Sequence, residues 1–459
     1  MMNPRPNVLQ IVVDDMGIGD LSSINNGASA TPVLDQLAAE GVCLSQHYSG
    51  SPVCAPARAA LLTGRYPQRT GVIDTMEARG TDRLAVGERT IADELAASGY
   101  ATGLVGKWHN GAFDAAFHPV QRGFDEFVGF QGGWQDYWNW TIQKGGAVLA
   151  SDGRHLTDVF TAEAIDFVTR HADEPFFLHL AYNAPHFPLQ APEYLVDHFY
   201  RDGTVTRAVA TIYAMLSMVD DGVGALLQHL DALGLSENTI VMFTSDNGPD
   251  FHGKGEHSTH RFNEGLRGSK THVFEGGVKV PMIMRWPAGL DGGVTRDDLV
   301  HFVDWMPTLL DATGVGGSTA TVDGISRLPA LRGDSSKGPL RFWQWTRYTP
   351  LAESNAAVRD GDWKLVFPAW EGTLDALQSD LERDAEIKRN PEALVALDAD
   401  PTPQFTRPAA SAPLLFNLRA DPLEACDLSA TQPDRLRSMT SALHSWFDDV
   451  EASRRATLP

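Results

Sequence analysis

Carboxylate and amide side chains follow two apolar segments of this sequence, at the point where each segment ends. Asp14 and Asp15 come directly after one segment, and Asp246 and Asn247 come after another. These four side chains offer hard oxygen ligands, a donor set that suits calcium or magnesium rather than zinc or copper. If the two segments are neighbouring strands, the sequence predicts a site for one of these cations.

A cysteine, a proline and an arginine alternate further along the chain at Cys54, Pro56 and Arg58, and Thr63-Gly64-Arg65 follows them. A lone cysteine is most often a small buried hydrophobic residue, so this thiol by itself does not indicate catalysis. Its role has to be inferred from the residues around it.

Basic residues and histidines follow other apolar segments. Lys107 and His109 come just after one such segment, and His186 comes after another. His186 lies between two prolines, whose stiff backbone suits a fixed proton donor. Lys270 ends the segment Leu-Arg-Gly-Ser-Lys. Lys107 and His109 are unremarkable by themselves, because a lysine after a strand is more often a solvated charge.

Residues 54–65 closely resemble the signature of type I sulfatases, which are hydrolases of the alkaline phosphatase superfamily. Residues 122–127, 303–310, 323–326 and 415–421 also resemble sulfatase landmarks, so the resemblance covers almost the whole chain. Two departures, Ala57 where many relatives carry Ser and Asn110 where many carry Leu, leave the core of the motifs intact.

The resemblance implies a covalent modification and a reaction. A formylglycine-generating enzyme would convert Cys54 to Cα-formylglycine, and the hydrated aldehyde would attack the sulfur of a sulfate ester. The chain would then release inorganic sulfate from a sulfated small molecule or glycan. Maturation by the host is therefore an expected requirement for turnover.

The resemblance also implies roles for the candidate residues. The implied metal ligands, for calcium or else magnesium, are Asp14, Asp15, Cys54, Asp246 and Asn247. The implied catalytic residues are Cys54, Arg58, Lys107, His109, His186 and Lys270. Arg58 would brace the formylglycine diol with its rigid donor fork, and Lys107 would add positive charge. His109 would take the proton whose loss lets sulfate leave, while His186 and Lys270 would neutralise the departing oxygen.

The chain has 59 acidic and 37 basic residues, which gives a formal net charge of −22. This excess argues against nucleic acid or an anionic membrane as a partner. A sulfate ester is itself an anion, so a local group of cations must attract it. Arg58, Lys107, Lys270 and a protonated His186 are the cations expected to do so.

Cysteine content and the start of the chain bear on its compartment. Three cysteines cannot form a disulfide framework, so nothing in the sequence requires an oxidising environment. The apolar run at residues 8–13 is too short to span a membrane and lacks the layout of a signal peptide. We expect either a cytoplasmic protein or a mature form whose leader has been removed.

Strand-like and helix-like segments alternate through the first three quarters of the chain. The predicted strands are residues 8–13, 101–105, 175–181 and 239–244. The predicted helices are residues 31–40, 90–99 and 156–171, with one or two long helices over residues 204–233. This alternation predicts an α/β fold with a large, mostly parallel central sheet sandwiched by helices. Such sheets bind ligands at the carboxyl ends of their strands, where the candidate metal ligands fall.

The pattern changes after residue 334, where we predict a smaller C-terminal α+β subdomain made of an antiparallel sheet plus a helix. Its predicted elements are strands at 341–345, 363–367 and 414–417, a charged helical insertion within 374–397, and a helix over 432–452. The predicted domains are therefore a catalytic domain over residues 1–335 and a subdomain over 336–459 that completes the substrate pocket.

Aromatic residues outside these motifs bear on the substrate. They are Trp134, Tyr137, Trp138, Trp140, Trp343, Trp345 and Tyr348, and the loop 250–263 adds three histidines and Arg261. Exposed aromatic rings beside polar groups would suit sugar rings, which favours a sulfated carbohydrate over a small aryl sulfate, whereas buried rings would be ordinary core.

Two other functions stay open at this point. A phosphodiester or phosphonate monoester hydrolase of the same superfamily would share the formylglycine, the metal site and the fold, although the complete set of His109, His186 and Lys270 favours sulfate. A non-catalytic glycan-binding relative would be expected to lack Cys54 or a metal ligand, and the sequence shows no such loss.

Overall fold

A computed structural model describes residues 5–112, 114–201, 203–316, 320–334, 337–390, 393–394, 396–408 and 412–457. The strands in these ranges are β1 (Asn7–Val13), β2 (Val42–Leu44), β3 (His47–Tyr48), β4 (Ala101–Lys107), β5 (Glu126–Phe130), β6 (Thr141–Lys144), β7 (Ala147–Ala150), β8 (Phe176–Ala181), β9 (Thr239–Ser245), β10 (Met282–Arg285), β11 (Val294–Arg296), β12 (Val300–His301), β13 (Arg341–Gln344), β14 (Ala356–Asp360), β15 (Trp363–Phe367) and β16 (Leu414–Asn417). The α-helices in the same ranges are α1 (Pro32–Glu40), α2 (Cys54–Thr63), α3 (Pro67–Thr70), α4 (Ile91–Ala97), α5 (Leu156–Arg170), α6 (Glu193–Tyr200), α7 (Arg207–Ala232), α8 (Glu275–Val278), α9 (Trp305–Ala312), α10 (Leu328–Leu331), α11 (Gln378–Arg389) and α12 (Pro433–Thr457).

The central sheet has ten strands within the described ranges, in the order β11-β2-β10-β9-β1-β8-β4-β5-β6-β7. Its middle, β9-β1-β8-β4-β5, is parallel throughout. β10 and β6 join this middle part in the antiparallel direction, one on each side. The predicted α/β fold with a large, mostly parallel sheet is therefore confirmed.

Strand β1 lies at the centre of the sheet, and all seven of its residues are buried. Val8 and Val12 belong to the apolar core that includes α2, α4 and α9, whereas Leu9, Ile11 and Val13 belong to the core that includes α5 and α7. This alternation follows from the two-residue period of a strand. Burial on both faces explains why β1 is an apolar run with two polar residues, Asn7 and Gln10, instead of an alternating segment.

Helix α7 is one continuous element of 26 residues, where the sequence left one or two helices open. Within the described residues it is the helix that is long and apolar enough, by length and composition, to cross a membrane. However, 78% of its most apolar window is buried inside the protein, as expected for a core helix. It packs against α1, α5 and α6.

Strands β13, β14, β15 and β16 form a separate antiparallel sheet, and the predicted C-terminal antiparallel sheet with its helix is confirmed. The sequence analysis did not identify β14, and it placed a helix in the charged insertion where α11 lies. The domain boundary near residue 335 falls on residues outside the described ranges and stays a prediction.

A buried ion cluster connects this second sheet to the rest of the protein. The Lys364 ammonium on β15 lies 2.8 Å from a carboxylate oxygen of Glu275 on α8 and 3.0 Å from one of Glu424. The Glu275 backbone N–H donates to the second Glu424 oxygen at 2.7 Å. All three side chains are nearly inaccessible to water, so each carboxylate depends on this lysine for compensation.

We predict that Lys364→Met lowers the free energy of unfolding by about 3–5 kcal/mol, because it leaves two buried carboxylates without their cation. Urea denaturation followed by circular dichroism measures the change. Lys337→Met is the matched control, because Lys337 pairs with Asp360 at the surface with 74% of its side chain exposed. Equal stabilities for the two variants would contradict the role given to the buried cluster.

Candidate active site

The central parallel strands end at one edge of the sheet, and the candidate residues meet there. They are Asp14 and Asp15 after β1, Lys107 at the end of β4 with His109 beyond it, His186 after β8, and Asp246 and Asn247 after β9. Cys54 is the first residue of α2, and Lys270 lies in the loop before α8. Ligand atoms of Asp14, Asp15, Cys54 and His186 all lie within 4.8 Å of one another. The structure thus brings the predicted site residues into one cluster.

Cys54 is buried at the start of a helix whose ten residues are all buried. Burial raises the pKa of its thiol to about 12, against the opposing effect of Lys107 and Lys270. The unmodified side chain is therefore a neutral thiol at physiological pH and a poor nucleophile.

Two basic side chains neutralise the carboxylates on one side of Cys54. The Lys107 ammonium donates to Asp14 Oδ2 at 2.6 Å, and the Arg58 guanidinium donates to Asp246 Oδ2 at 2.9 Å through Nε. All four side chains are almost fully buried. Burial and the nearby Asp14 raise the pKa of Asp246 to about 6 in spite of Arg58. Arg58 therefore holds the Asp246 carboxylate in position beside Cys54.

Asp15 lies on the other side of Cys54 with a positive φ of 66°. Its Oδ2 accepts from the Lys270 ammonium at 2.7 Å, and its Oδ1 accepts from the Asn247 amide at 2.7 Å. Burial would raise its pKa, but Lys270 and His186 outweigh burial and hold the pKa well below its ordinary value. Asp15 is therefore an ionised carboxylate that positions an amide and an ammonium.

The charges of this cluster change the expectation about substrate attraction. Three carboxylates face three cations, so Arg58, Lys107 and Lys270 are compensated within the site and leave no excess positive charge. The sequence analysis also counted a protonated His186. Burial and Lys270 lower the pKa of His186 to about 3, so this imidazole is neutral at physiological pH.

Two buried acceptors in the cluster lack a hydrogen-bond partner among the described residues, namely Oδ1 of Asp14 and Oδ1 of Asn247. Buried polar oxygens are seldom left unsatisfied. Together with Asp15 and Asp246 they form an all-oxygen set of the kind that binds calcium or magnesium. The donor set therefore fits a hard divalent cation, which would also supply the positive charge that the side chains lack.

The two histidines are held by backbone contacts. His186 Nδ1 lies 2.8 Å from the Phe187 carbonyl, which makes Nδ1 the protonated nitrogen and leaves Nε2 3.7 Å from Asp15 Oδ2. His109 Nε2 lies 3.4 Å from the Thr75 carbonyl, and its buried Nδ1 has no partner among the described residues. Burial and Lys107 keep the pKa of His109 well below its ordinary value, so this imidazole is a neutral proton acceptor.

A close approach between two strands precedes Lys107. Gly106 has a φ of +115°, and a Cβ atom there would lie 1.9 Å from the Ala181 carbonyl oxygen. Any other residue would therefore collide with the backbone of β8. The glycine lets β4 and β8 run close together, and it fixes the position from which Lys107 reaches Asp14.

Some residues around the site were missed by the sequence analysis. The Asn110 amide donates to the Ala55 carbonyl at 2.9 Å and so ties the loop of His109 to the first turn of α2. Asn110 was noted only as a departure from the sulfatase pattern. Thr75, which contacts His109, lies in no motif, and no sequence signal would have identified it.

Most of the aromatic residues considered for sugar binding are core. Tyr137, Trp140, Trp343, Trp345 and Tyr348 are all buried. Trp134 and Trp138 are half-buried. In the loop 250–263, Arg261 is nearly inaccessible and pairs with Asp20. Of the seven aromatic residues considered, Trp134 and Trp138 therefore remain accessible enough to contact a sugar.

We predict that Cys54 in metal-free, unmodified protein reacts with iodoacetamide at pH 8 about a thousandfold more slowly than an ordinary exposed thiol, because its thiolate is scarce. Peptide mass spectrometry over a time course measures the rate. Cys426, which is exposed, is the internal control. Comparable rates at the two cysteines would show that Cys54 is neither buried nor protonated as described.

Comparison with known proteins gives matches over most of the chain. The sequence model described as Sulfatase matches residues 6–315, and the one described as N-sulphoglucosamine sulphohydrolase, C-terminal, matches residues 267–390. Arylsulfatase A of Bos taurus is 32% identical over 458 residues, which cover 92% of this chain and 83% of that protein. N-acetylgalactosamine-6-sulfatase of Canis lupus familiaris is 32% identical over 460 residues, which cover 94% of this chain and 83% of that protein.

A solved structure agrees with these sequence matches. The structure of Ps i-CgsB in complex with k-i-k-neocarrahexaose is 28% identical and superposes with a TM-score of 0.81, covering 96% of this chain and 92% of that chain. The family model alone matches well over half of the residues, and the relatives match nearly the whole length. The chain therefore belongs to the sulfatase family, as a type I sulfatase of the alkaline phosphatase superfamily.

Proposed function

We propose that this sulfatase releases inorganic sulfate from a sulfated carbohydrate, with formylglycine made from Cys54 as its nucleophile and a divalent cation in the site. The observation that carries the proposal is the buried cluster in which Cys54 lies among charge-balanced carboxylates and cations, with acceptor oxygens left unpartnered. The unpartnered oxygens could bind a cation, and the bound cation would then attract an anionic substrate.

Modification of Cys54 is supported by the state of the unmodified residue. A thiol whose pKa is raised to about 12 is protonated at neutral pH and would not attack an ester. Formylglycine would supply a hydroxyl nucleophile from its hydrated aldehyde. The position at the start of α2 suits this hydroxyl, because the positive end of a helix stabilises nearby negative charge.

Asp14, Asp15, Asp246 and Asn247 would hold the cation together with the modified Cys54. Calcium is the expected ion and magnesium the alternative, since all these ligands are oxygens. The cation would supply polarisation of sulfate oxygens and a net positive charge in the site. The unpartnered Oδ1 atoms of Asp14 and Asn247 support this assignment.

The remaining residues would bind the anion and move protons. Arg58 and Lys107 hold their carboxylates in place beside Cys54 and keep the site polar and dry. His109, neutral and with a free Nδ1, would accept a proton from a hydroxyl at residue 54. The Lys270 ammonium would donate to the leaving oxygen, and His186, whose proton lies on Nδ1, would act as an acid there only after it takes up a second proton on Nε2.

A carbohydrate substrate is supported by the relatives. One of them is named for N-acetylgalactosamine-6-sulfate chemistry, and the structural neighbour is a complex with an oligosaccharide. The other relative is named arylsulfatase A, so small aryl sulfates are also included as test substrates.

We predict that protein co-expressed with a formylglycine-generating enzyme releases sulfate from at least one member of a panel of sulfated sugars. Ion chromatography measures the anion released, and aryl sulfates and phosphate diesters complete the panel. Cys54→Ala should lower turnover by at least a thousandfold, because it removes the nucleophile. Cys426→Ala, at an exposed cysteine, is the matched control and should keep full activity.

Other outcomes of this assay decide between the functions. Phosphate-ester cleavage without sulfate release would assign the chain to the phosphodiester or phosphonate hydrolases instead. Full activity of Cys54→Ala would refute the formylglycine mechanism. Release of sulfate from aryl sulfates alone would support sulfatase activity and refute a carbohydrate substrate.

We predict that chelation with EDTA abolishes sulfate release and lowers the melting temperature, and that added calcium restores both. A ligand at one hundred times its Kd stabilises the folded state by about 2.7 kcal/mol. Asn247→Ala should weaken calcium binding in isothermal titration calorimetry, because it removes an acceptor oxygen. Asp166→Asn, at a half-exposed surface carboxylate, should not change it. Full activity in EDTA-treated protein would contradict the metal site.

A further inference from the structure

A cavity of about 960 Å³ lies beside the active site, between the β5–β6 edge of the central sheet and α11. Its wall includes the segment from Gly129 to Trp134 and the end of α11. Gly133 separates this wall from His109, since a Cβ atom at Gly133 would lie 2.8 Å from His109 Nε2. The backbone of Gly133 therefore lies between the cavity and His109.

The second histidine of the site is linked to the same cavity through an aromatic residue. The ring centroid of Phe187 lies 4.4 Å from that of His186 and 5.8 Å from that of Trp134, which lines the cavity. Pro188, the residue after Phe187, also lines it. The ring of Phe187 therefore lies between His186 and the wall of this cavity.

The uncharged side chains of the cavity wall suit a sugar. Trp134 provides an aromatic face, and the amide side chains Gln131, Gln135, Asn139 and Gln143 provide donors and acceptors. Sugar rings present C–H faces to aromatic rings and hydroxyl groups to amides. The volume is in the range of small-ligand sites and large enough for more than the reacting sulfate.

Both acidic side chains of the cavity wall already accept hydrogen bonds. Glu77 accepts from the Gly133 N–H at 2.6 Å and lies 3.6 Å from the Lys388 ammonium, which also pairs with Asp384. Asp136 accepts from two backbone N–H groups at 2.8 and 2.6 Å and from a glutamine amide at 3.0 Å. Both carboxylates therefore have hydrogen-bond donors within the protein. The Lys388 ammonium is shared between two carboxylates and is not available to bind an anion.

Arg389 differs from the other ionisable groups of the wall. It is exposed at the end of α11, it lines the cavity, and it makes no ion pair or hydrogen bond with any described residue. In a chain with a net charge of −22 and acidic residues in large excess, an arginine without a carboxylate partner beside the active site is available to bind an anion. Its planar guanidinium suits bidentate contact with a carboxylate or a sulfate.

We infer that this cavity binds the sugar unit that carries or adjoins the scissile sulfate, and that Arg389 selects substrates with a second anionic substituent. This inference rests on the proposed function for the identity of the scissile group. The second anion is a carboxylate of a hexuronate or a further sulfate, each of which offers two oxygens that can accept from one guanidinium. Arg389 is thus a specificity-determining residue that touches the substrate away from the reacting atoms.

The test measures binding without turnover. Disaccharides of N-acetylgalactosamine and hexuronate are titrated by calorimetry, in calcium, into the inactive Cys54→Ala protein. All three forms share one sulfate at the same position; the hexuronate carboxylate is intact in the first, reduced to the alcohol in the second, and reduced to the alcohol with a second sulfate added in the third. We expect the two forms with a second anion to bind about tenfold more tightly than the reduced form, as charged hydrogen bonds of this kind typically allow.

Adding Arg389→Gln should remove this preference and leave the affinity for the reduced form within twofold. Arg389→Lys should keep part of it, because the charge remains and the fork is lost. Arg437→Gln is the matched control, since Arg437 is an exposed arginine on α12 outside the cavity wall, and it should keep the full preference. The Arg389 side chain is exposed and makes no ion pair with a described residue, so its variants should keep the parent melting temperature.

Three results would overturn the inference: no binding of any disaccharide, equal affinities for all three forms, or a preference that survives Arg389→Gln. Sulfate release by the mature enzyme is measured separately. If that release is absent while the Arg389-dependent preference persists, the anionic subsite is supported and the proposed sulfatase substrate is wrong. The two failures are therefore distinguishable.

Discussion

Three carboxylates, those of Asp14, Asp15 and Asp246, are buried together where the central parallel strands end, and their mutual repulsion governs the arrangement of the site. Each carboxylate is paired with one cation, from Arg58, Lys107 or Lys270. Breaking a buried pair leaves an uncompensated charge, which is strongly unfavourable. The side-chain cations are thus committed to the carboxylates, and a bound divalent cation would supply the charge that attracts an anionic ester.

The backbone around this cluster adopts unusual conformations that the rest of the fold maintains. Asp15 and His109 have positive φ values, which cost about 1–3 kcal/mol each in non-glycine residues. Gly106 allows two strands to approach more closely than any side chain would permit. A sheet covered by apolar cores on both faces supplies the stability that holds these residues in place.

The C-terminal part of the chain contributes to the site from outside the central sheet. The Lys364 cluster joins β15 to α8, directly after the loop of Lys270. Helix α11 supplies Lys388 and Arg389 to the cavity beside His109. The charged composition of this helix predicted its existence, but its position over the cavity depends on contacts with residues such as Glu77, about three hundred positions away in sequence.

The sequence by itself determined the α/β class, the predicted strands and helices, and the placement of Asp14, Asp15, Asp246 and Asn247 at strand ends, because burial imposes local periodicity and local motifs carry chemistry. Only the tertiary structure decided how those charges pair, that His186 is neutral, that most of the candidate aromatic rings are core, and that Arg389 lacks a partner among the described residues. These properties depend on distances and desolvation between segments that are far apart in the chain. No local pattern encodes such distances, and the fold alone sets them.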